Sequence, residues 1–389
     1  MAARNSQVER SGGYFTSKRH NTTYDHISPL RLDMSERHIL VTGAAWDSGV
    51  GYATATAFAR AGASAIAVAD LHGVSDELVK QLKGAAVQAG RSEPLVLSYQ
   101  VDITKQESVQ VMYESVLKAF NGRLDVLVNN AAHMEPNKST LESDPDVLWR
   151  TWEVNIQGLI SMSRAFLPML LSTSSSSSGL CTMINVASSG ALSARPTTAS
   201  YRSSKLAMLR WTESLALEYG GQGLLTFCVN PGAIKTKISE GAAPESVRNS
   251  FPDQPELPGD TITWLAAERR EWLAGRYVSC PWDMEELMTK KDEIVEQDKL
   301  KLRMRQGVAV NMISALGQRF TKELFALRQL LRLECTSIGA VSHRLSVFVL
   351  GFTAVGATHD TEKTHLLLFK DTPRGVDKET KPIRATSEW

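Results

Sequence analysis

The chain has 389 residues, a formal net charge of +1 and a hydrophobic share of 43%. That share is enough for a sizeable core, and the near-neutral balance gives no sign of a nucleic-acid partner or a charged membrane surface. The four cysteines, Cys181, Cys228, Cys280 and Cys335, show no Cys-x-x-Cys pairing and no metal-site spacing, and three lie in apolar runs, so they read as buried thiols in a reducing compartment. Residues 1–25 are polar and lack the apolar stretch of a secretory signal. Arg4, Arg10, Lys18 and Arg19 faintly suggest a mitochondrial presequence, but Glu9 and the missing apolar face argue against it. The apolar run Leu345–Ala357 is too short to cross a bilayer. The expectation is a cytoplasmic protein with no membrane span.

Residues 1–36 read as an arm without a core of its own. A rhythm then begins. The run His38–Val41 meets a glycine-rich turn and a helical pattern, Tyr52–Ala61. A second run, Ala65–Ala69, ends in Asp70, and a helical stretch around Leu78, Val79, Leu82, Ala85 and Ala86 follows. Next come a strand Leu95–Val101, a helix Gln106–Phe120, a strand Leu124–Val128 and a long helix Asp146–Leu171. A strand Cys181–Val186, a helix Ala199–Tyr219 and a strand Leu224–Val229 complete the series. This alternation predicts an α/β fold, a doubly wound parallel sheet with helices on both faces. The strands are continuously apolar, as expected when both faces are buried.

The tract Ser172–Ser178 reads as a surface loop. Residues 284–305 read as one charged helix with a solvated face. Beyond about residue 308, Leu316, Phe320, Leu324, Leu327 and Leu331 make a helical stripe, and the stretches Pro373–Gly375 and Lys378–Lys381 read as disordered. The expected organisation is an arm (1–36), a catalytic domain (37–285), and a charged helix with an extension of unknown role (286–389).

Three features carry chemistry. The turn Thr42-Gly43-Ala44-Ala45-Trp46-Asp47-Ser48-Gly49-Val50-Gly51 joins a strand to a helix. Its glycines let the backbone approach a pyrophosphate, which the free amides of the helix start stabilise; alone, such a turn is as often merely structural. Asp70, nineteen residues after Gly51, ends the next strand. A carboxylate there accepts hydrogen bonds from an adenosine ribose and repels a 2′-phosphate, which favours NAD over NADP. In Tyr201-Arg202-Ser203-Ser204-Lys205, the tyrosine and lysine share one helix face. A base near neutrality requires moving a phenol from a pKa of about 10, roughly 4 kcal/mol, and a close ammonium helps to supply it. Ser188 precedes Tyr201 by thirteen residues and follows a strand end, where open α/β sheets place their ligands.

With these residues in this order, the chain resembles the classical short-chain dehydrogenase/reductase family over residues 37–285. The resemblance implies a Rossmann-like fold, NAD(P) as cofactor, and interconversion of an alcohol and a carbonyl by hydride transfer. It assigns Gly43, Ser48, Gly49, Val50 and Gly51 to the pyrophosphate turn, and Asp102 and Ile103 to the adenine side. It places Asn130, within Asn129-Asn130-Ala131-Ala132, and Ile234 with Thr236, after Pro231-Gly232-Ala233, in the cofactor site. It gives Ser188 the substrate oxygen and Tyr201 the proton. Lys205 lowers the tyrosine pKa and binds the nicotinamide ribose, and Asn155 holds a relay water. Homo-oligomers are common in the family. Two departures stand out: Trp46 and Asp47 are extra residues in the turn, and Ala132 replaces a glycine.

The flanks, Thr16–Leu32, Glu256–Asp260 and Leu273–Ser279, are similar to fungal members that serve secondary metabolism. That suggests an apolar polyketide or terpenoid alcohol as substrate. Residues 237–255 form the expected lid, with His133, Met134 and Glu135 on the opposite rim. His133 reads as a solvent-facing loop residue, with a second proton donor as the other reading. An epimerase or dehydratase, a dinucleotide-sensing binding protein, and a partner-binding role for the extension remain as alternatives.

Overall fold

In a computed structural model, the chain is described over residues 11–176 and 179–304. The stripe Leu316–Leu331, Cys335, the run Leu345–Ala357 and the stretches Pro373–Gly375 and Lys378–Lys381 lie outside the described residues, as do Arg4, Glu9 and Arg10.

The strands are β1 (His38–Thr42), β2 (Ala65–Asp70), β3 (Leu95–Gln100), β4 (Val126–Asn129), β5 (Thr182–Val186), β6 (Leu225–Asn230) and β7 (Arg276–Ser279). They pair in parallel in the order β3-β2-β1-β4-β5-β6-β7. The helices are α1 (Val50–Arg60), α2 (Asp76–Gln88), α3 (Gln106–Ala119), α4 (Pro145–Trp152), α5 (Leu159–Ser176), α6 (Ala199–Tyr219), α7 (Lys237–Glu240), α8 (Glu245–Arg248), α9 (Glu256–Ala267), α10 (Met284–Thr289) and α11 (Lys291–Glu296).

Successive residues of a strand serve opposite layers. Ile39, Val41, Val126, Val128 and Ile184 pack with Phe58 of α1, Leu82 of α2 and Ile262 of α9. Leu40, Leu127 and Met183 pack on the other face with Val116 of α3 and Phe166 and Leu170 of α5. The α1–α9 contact is backbone-close, since a Cβ at Gly259 would lie 2.7 Å from the Ala53 carbonyl oxygen. The strand order reverses between β1 and β4. The connections leave these neighbours in opposite directions and open a crevice at their carboxyl ends.

Several local expectations are corrected. β3 is not buried on both faces: it is the sheet edge, and Leu95 is 47% exposed. The serine tract is not all loop, because α5 continues to Ser176. The buried Thr173 hydroxyl donates to the Met169 carbonyl and accepts the Leu124 amide at 2.9 Å each, which ties the helix end to the approach to β4. The charged stretch is two short helices, α10 and α11, and Leu287 and Ile294 belong to the main core.

The described part of the arm packs on the domain. Trp282 Nε1 donates to the Gly12 carbonyl at 3.0 Å, and Glu286 accepts the Ser17 amide at 2.8 Å. His20 meets Asp283 at 2.7 Å, and Thr23 donates to Asp260. Ile27 and Met34 are fully buried, a contribution of roughly 1.5–3 kcal/mol each. The helical run Pro145–Ser174 is apolar and long enough to cross a membrane by composition alone. Here Met162, Phe166 and Leu170 face the sheet.

Candidate active site

The ends of β1 and β4 are stitched together at the crevice. Thr42 Oγ1 accepts the amides of Asn130 and Ala131 at 3.0 and 3.1 Å. Asn130 Nδ2 donates to the carbonyls of Thr42 and Gly43, both at 2.9 Å. Asn130 thus shapes the glycine-rich turn. At Gly51 the turn touches α1 so closely that a Cβ would lie 2.2 Å from the Gly43 carbonyl oxygen. Gly49 is the N-cap of α1 and provides no side-chain cap, so the first amides of the helix face the crevice uncapped. Val50 is buried and Ser48 exposed.

The two extra turn residues form a ledge. Trp46 accepts the Gly49 amide through its carbonyl at 2.9 Å, and the Asp47 carboxylate accepts the Ser48 amide at 2.6 Å. The exposed Trp46 ring lies 5.3 Å from the Lys237 ammonium and edge-on to His72 at 6.1 Å. The insertion therefore connects the turn to the start of the lid.

Asp70 accepts the Ala45 amide on Oδ2 at 3.1 Å and the His72 amide on Oδ1 at 3.0 Å. Each oxygen keeps acceptor capacity. Asp102 holds the Thr104 amide and hydroxyl at 2.9 and 2.7 Å and lies 3.6 Å from Arg150. Ile103 is buried against Gly158, where an added Cβ would lie 2.6 Å away.

Asn155 sits in a π-helical turn, Glu153–Gly158, between α4 and α5 and is fully buried. Its Nδ2 donates to the His133 carbonyl and to Ser204 Oγ, both at 2.9 Å, and its Oδ1 accepts the His133 amide at 2.8 Å. Both amide protons are spent, so the side chain ties three elements together and has no proton left to donate to a relay water.

Ser188 follows β5, and its hydroxyl accepts the Gly190 amide at 3.0 Å. The hydroxyl and the Tyr201 ring meet over Gly190, where an added Cβ would lie 3.2 Å from Ser188 Oγ and 3.7 Å from the ring. Lys205 is 1% exposed, donates to the Val186 carbonyl at 2.7 Å and lies 5.7 Å from the Tyr201 ring centroid. Burial pushes the phenol above its ordinary value, against the Ser188 hydroxyl and the Arg202 charge. Burial also brings the Lys205 ammonium down to about 8, with Cys228 acting the other way.

The loop Pro231–Ile234 is clamped by a residue that the sequence reading missed. Asp253, 5% exposed, accepts the Ala233 amide at 2.6 Å and returns its own amide to the Ala233 carbonyl at 3.1 Å. It lies near the end of the lid, outside any motif. Thr236 donates its amide to the Ile234 carbonyl at 3.0 Å and leads into α7. The expected lid contains α7 and α8.

Two rim residues are corrected. Glu135 is 1% exposed and bonds the amide of Tyr201. His133 is half-buried, with Nδ1 3.0 Å from the Thr151 hydroxyl. Burial and Arg150 hold its ionisation below the ordinary value, against the charge of Glu135.

Residues 37–246 match the short chain dehydrogenase family. The chain belongs to that family. A short chain dehydrogenase of Monascus purpureus is 42% identical over 294 residues, 76% of this chain and 97% of the relative. One of Emericella variicolor is 36% identical over 291 residues, 75% and 96% of the two chains. The 3-ketoacyl-(acyl-carrier-protein) reductase of Brucella melitensis, solved with NADH, is 25% identical with a TM-score of 0.54, covering 64% of this chain and 97% of that one. Carveol dehydrogenase of Mycobacterium avium, solved with NAD, shares the fold at 19% identity and a TM-score of 0.54, with 64% and 97% covered. This short chain dehydrogenase is accordingly an oxidoreductase, and the fungal relatives accord with the resemblance carried by its flanks.

Proposed function

We propose that this short chain dehydrogenase interconverts a secondary alcohol and a ketone with NAD(H), on a medium-sized apolar secondary metabolite such as a polyketide or terpenoid. The observation that carries the reading is one cluster at the carboxyl end of β5. There the Ser188 hydroxyl and the Tyr201 ring both border Gly190, and the buried Lys205 ammonium lies 5.7 Å from the centre of the same ring. The residues fit a nicotinamide dinucleotide. The uncapped amides of α1 suit a pyrophosphate, Asp70 has acceptor capacity for a ribose diol, and Lys205 suits the second ribose. When bound, that group exchanges the hydride with the substrate carbon.

The protein's own part is acid–base work and orientation. Ser188 holds the substrate oxygen by a hydrogen bond that strengthens as charge develops. Tyr201 gives its phenolic proton to that oxygen in reduction and takes it back in oxidation. Lys205 favours the phenolate while charged, an effect that is lost above about pH 8 as the ammonium discharges. Oxidation of NADH or NADPH, followed by absorbance across a panel of aromatic, alicyclic and open-chain ketones, tests the reading. No turnover by any member removes it.

Asp70 is assigned the cofactor choice. The wild type is expected to prefer NADH, and Asp70→Ala to raise the NADPH-to-NADH ratio of kcat/KM by about tenfold or more. Loss of one charge-assisted bond to the ribose, about 1.5–3 kcal/mol, suffices for that. A wild type that prefers NADPH sinks the assignment.

A further inference from the structure

The helix that carries Tyr201 and Lys205 begins without a cap of its own. Its N-cap, Thr198, lies in the left-handed region (φ 50°, ψ 41°) and caps none of the helix amides, its hydroxyl accepting Arg202 Nε at 3.1 Å instead, and Thr197 before it is also left-handed (φ 67°). A threonine that caps a helix ordinarily has extended backbone and accepts the amide two or three residues on. Here that amide, the N–H of Tyr201, goes to Glu135, with both carboxylate oxygens at 3.0 Å.

Glu135 lies sixty-six residues earlier, in the loop after β4. The same loop holds the threonine turn a second time, because Thr197 Oγ1 donates to Asn137. The loop is itself anchored. The Thr151 hydroxyl of α4 donates to Glu135 at 3.0 Å, and the His133 amide and carbonyl are both bonded by the Asn155 side chain. The one hydroxyl proton of Thr151 is thereby used, so the neighbouring His133 Nδ1 is the donor in its bond to Thr151.

We propose that Glu135 is a positioning residue for the reaction, the borrowed cap that fixes where the Tyr201 phenol stands relative to Ser188. The proposal rests on the reading of Ser188, Tyr201 and Lys205 given above. A cap supplied by a distant loop places the catalytic helix by tertiary contact and holds the strained turn before it. It also brings a carboxylate beside the tyrosine. The groups facing Tyr201 are Arg202 and Lys205 of its own helix, Ser188 from the turn after β5, and Glu135 from the loop after β4. The charge of Glu135 opposes the phenolate. Glu135 in turn faces Thr151 of α4, and His133 of its own loop lies close to Arg150 of that helix.

The test compares Glu135→Gln and Glu135→Ala with Tyr201→Phe, using NADH and the ketone of the panel that is turned over fastest. Melting temperature and NADH binding by fluorescence are measured on each variant. Glu135→Gln keeps an acceptor for the amide and loses the charge. It is expected to retain turnover within about threefold, with the tyrosine limb of its kcat/KM profile moved to lower pH. Glu135→Ala loses the cap and is expected to lower kcat about tenfold or more, since a small displacement of a reacting group is costly, with NADH binding unchanged. His133 titrates at the acid end of the profile, apart from the tyrosine limb. If Tyr201→Phe collapses turnover while both Glu135 variants keep wild-type kcat and pH profile, the positioning role is overturned and the site reading stands. If both variants lose melting temperature with the pH limb unmoved, Glu135 is merely structural and the proposal is again overturned. If Tyr201→Phe keeps turnover, the site reading fails and the proposal falls with it.

Discussion

Tyr201→Phe is expected to lower kcat/KM by at least about 100-fold while the fold and dinucleotide binding persist. The substitution removes one oxygen and keeps the ring. The helix position is set by the Tyr201 amide on Glu135, a main-chain bond that phenylalanine preserves. Ser188 retains the bond from the Gly190 amide. The stability cost is therefore that of a single hydrogen bond, about 1 kcal/mol. The chemical cost is the whole proton transfer, because the described neighbours offer no other group at the same place. Lys205 points its ammonium at the Val186 carbonyl, and His133 is engaged with Thr151. Steady-state rates, NADH fluorescence and thermal melting together decide the matter. Turnover within about tenfold of wild type removes Tyr201 as the acid.

The wild-type pH dependence has a definite sign. In the proposed reaction Tyr201 carries its proton to reduce a ketone, so reduction is expected to fall as pH rises through its pKa, and oxidation to change in the opposite sense. Burial raises that pKa. The Ser188 hydroxyl and the Arg202 charge act against that rise, and Glu135 adds to it. The limb of an oxidation profile therefore lies at higher pH than an exposed phenol with the same neighbours would give.

The sheet was legible because parallel strands buried on two faces are short apolar runs, and β1, β2, β5 and β6 fall within two residues of those runs at each end. The helix Ala199–Tyr219 matches its expected bounds. β3 misled the reading, since apolar content does not reveal that a strand is the last in its sheet. The serine tract misled it for the opposite reason. Low-complexity composition suggests a loop, but Thr173 found a buried amide to accept and the helix continued. At the site, order and spacing single out Ser188, Tyr201 and Lys205, and the structure brings these three side chains together. Glu135 and Asp253 were not legible in this way. Each acts on a main-chain amide distant in sequence, Tyr201 in one case and Ala233 in the other. The need for such an acceptor arises only from backbone geometry, such as the left-handed Thr198.

The opposite end of the sheet should show stability without chemistry. Asp125 is fully buried just before β4, away from the crevice. Its carboxylate receives Arg123 at 2.7 and 3.1 Å, Arg37 at 3.2 Å, and the amides of His38 and Leu180 at 3.0 and 3.3 Å. One side chain thereby joins the starts of β1, β4 and the approach to β5. Burial opposes its charge, yet the Arg123 bond, the two amides and the Arg123 cation together hold the carboxyl below its ordinary value. Asp125→Ala removes those acceptors at once. The arginines are about a quarter exposed and recover water, so their loss is small. The unmet amides dominate, and the expected cost is about 3 kcal/mol. In a domain of this size that is a fall in Tm of about 6–12 °C. The sign with pH follows from the lowered value. The stabilisation is present above the unfolded carboxyl pKa of about 4 and is lost as pH falls through the lower folded value. The Tm gap between wild type and variant should therefore close in acid, while kcat of the folded variant at low temperature stays close to wild type. A gap that widens in acid, or a lost kcat in the folded variant, shows that Asp125 does something other than hold the strand ends together.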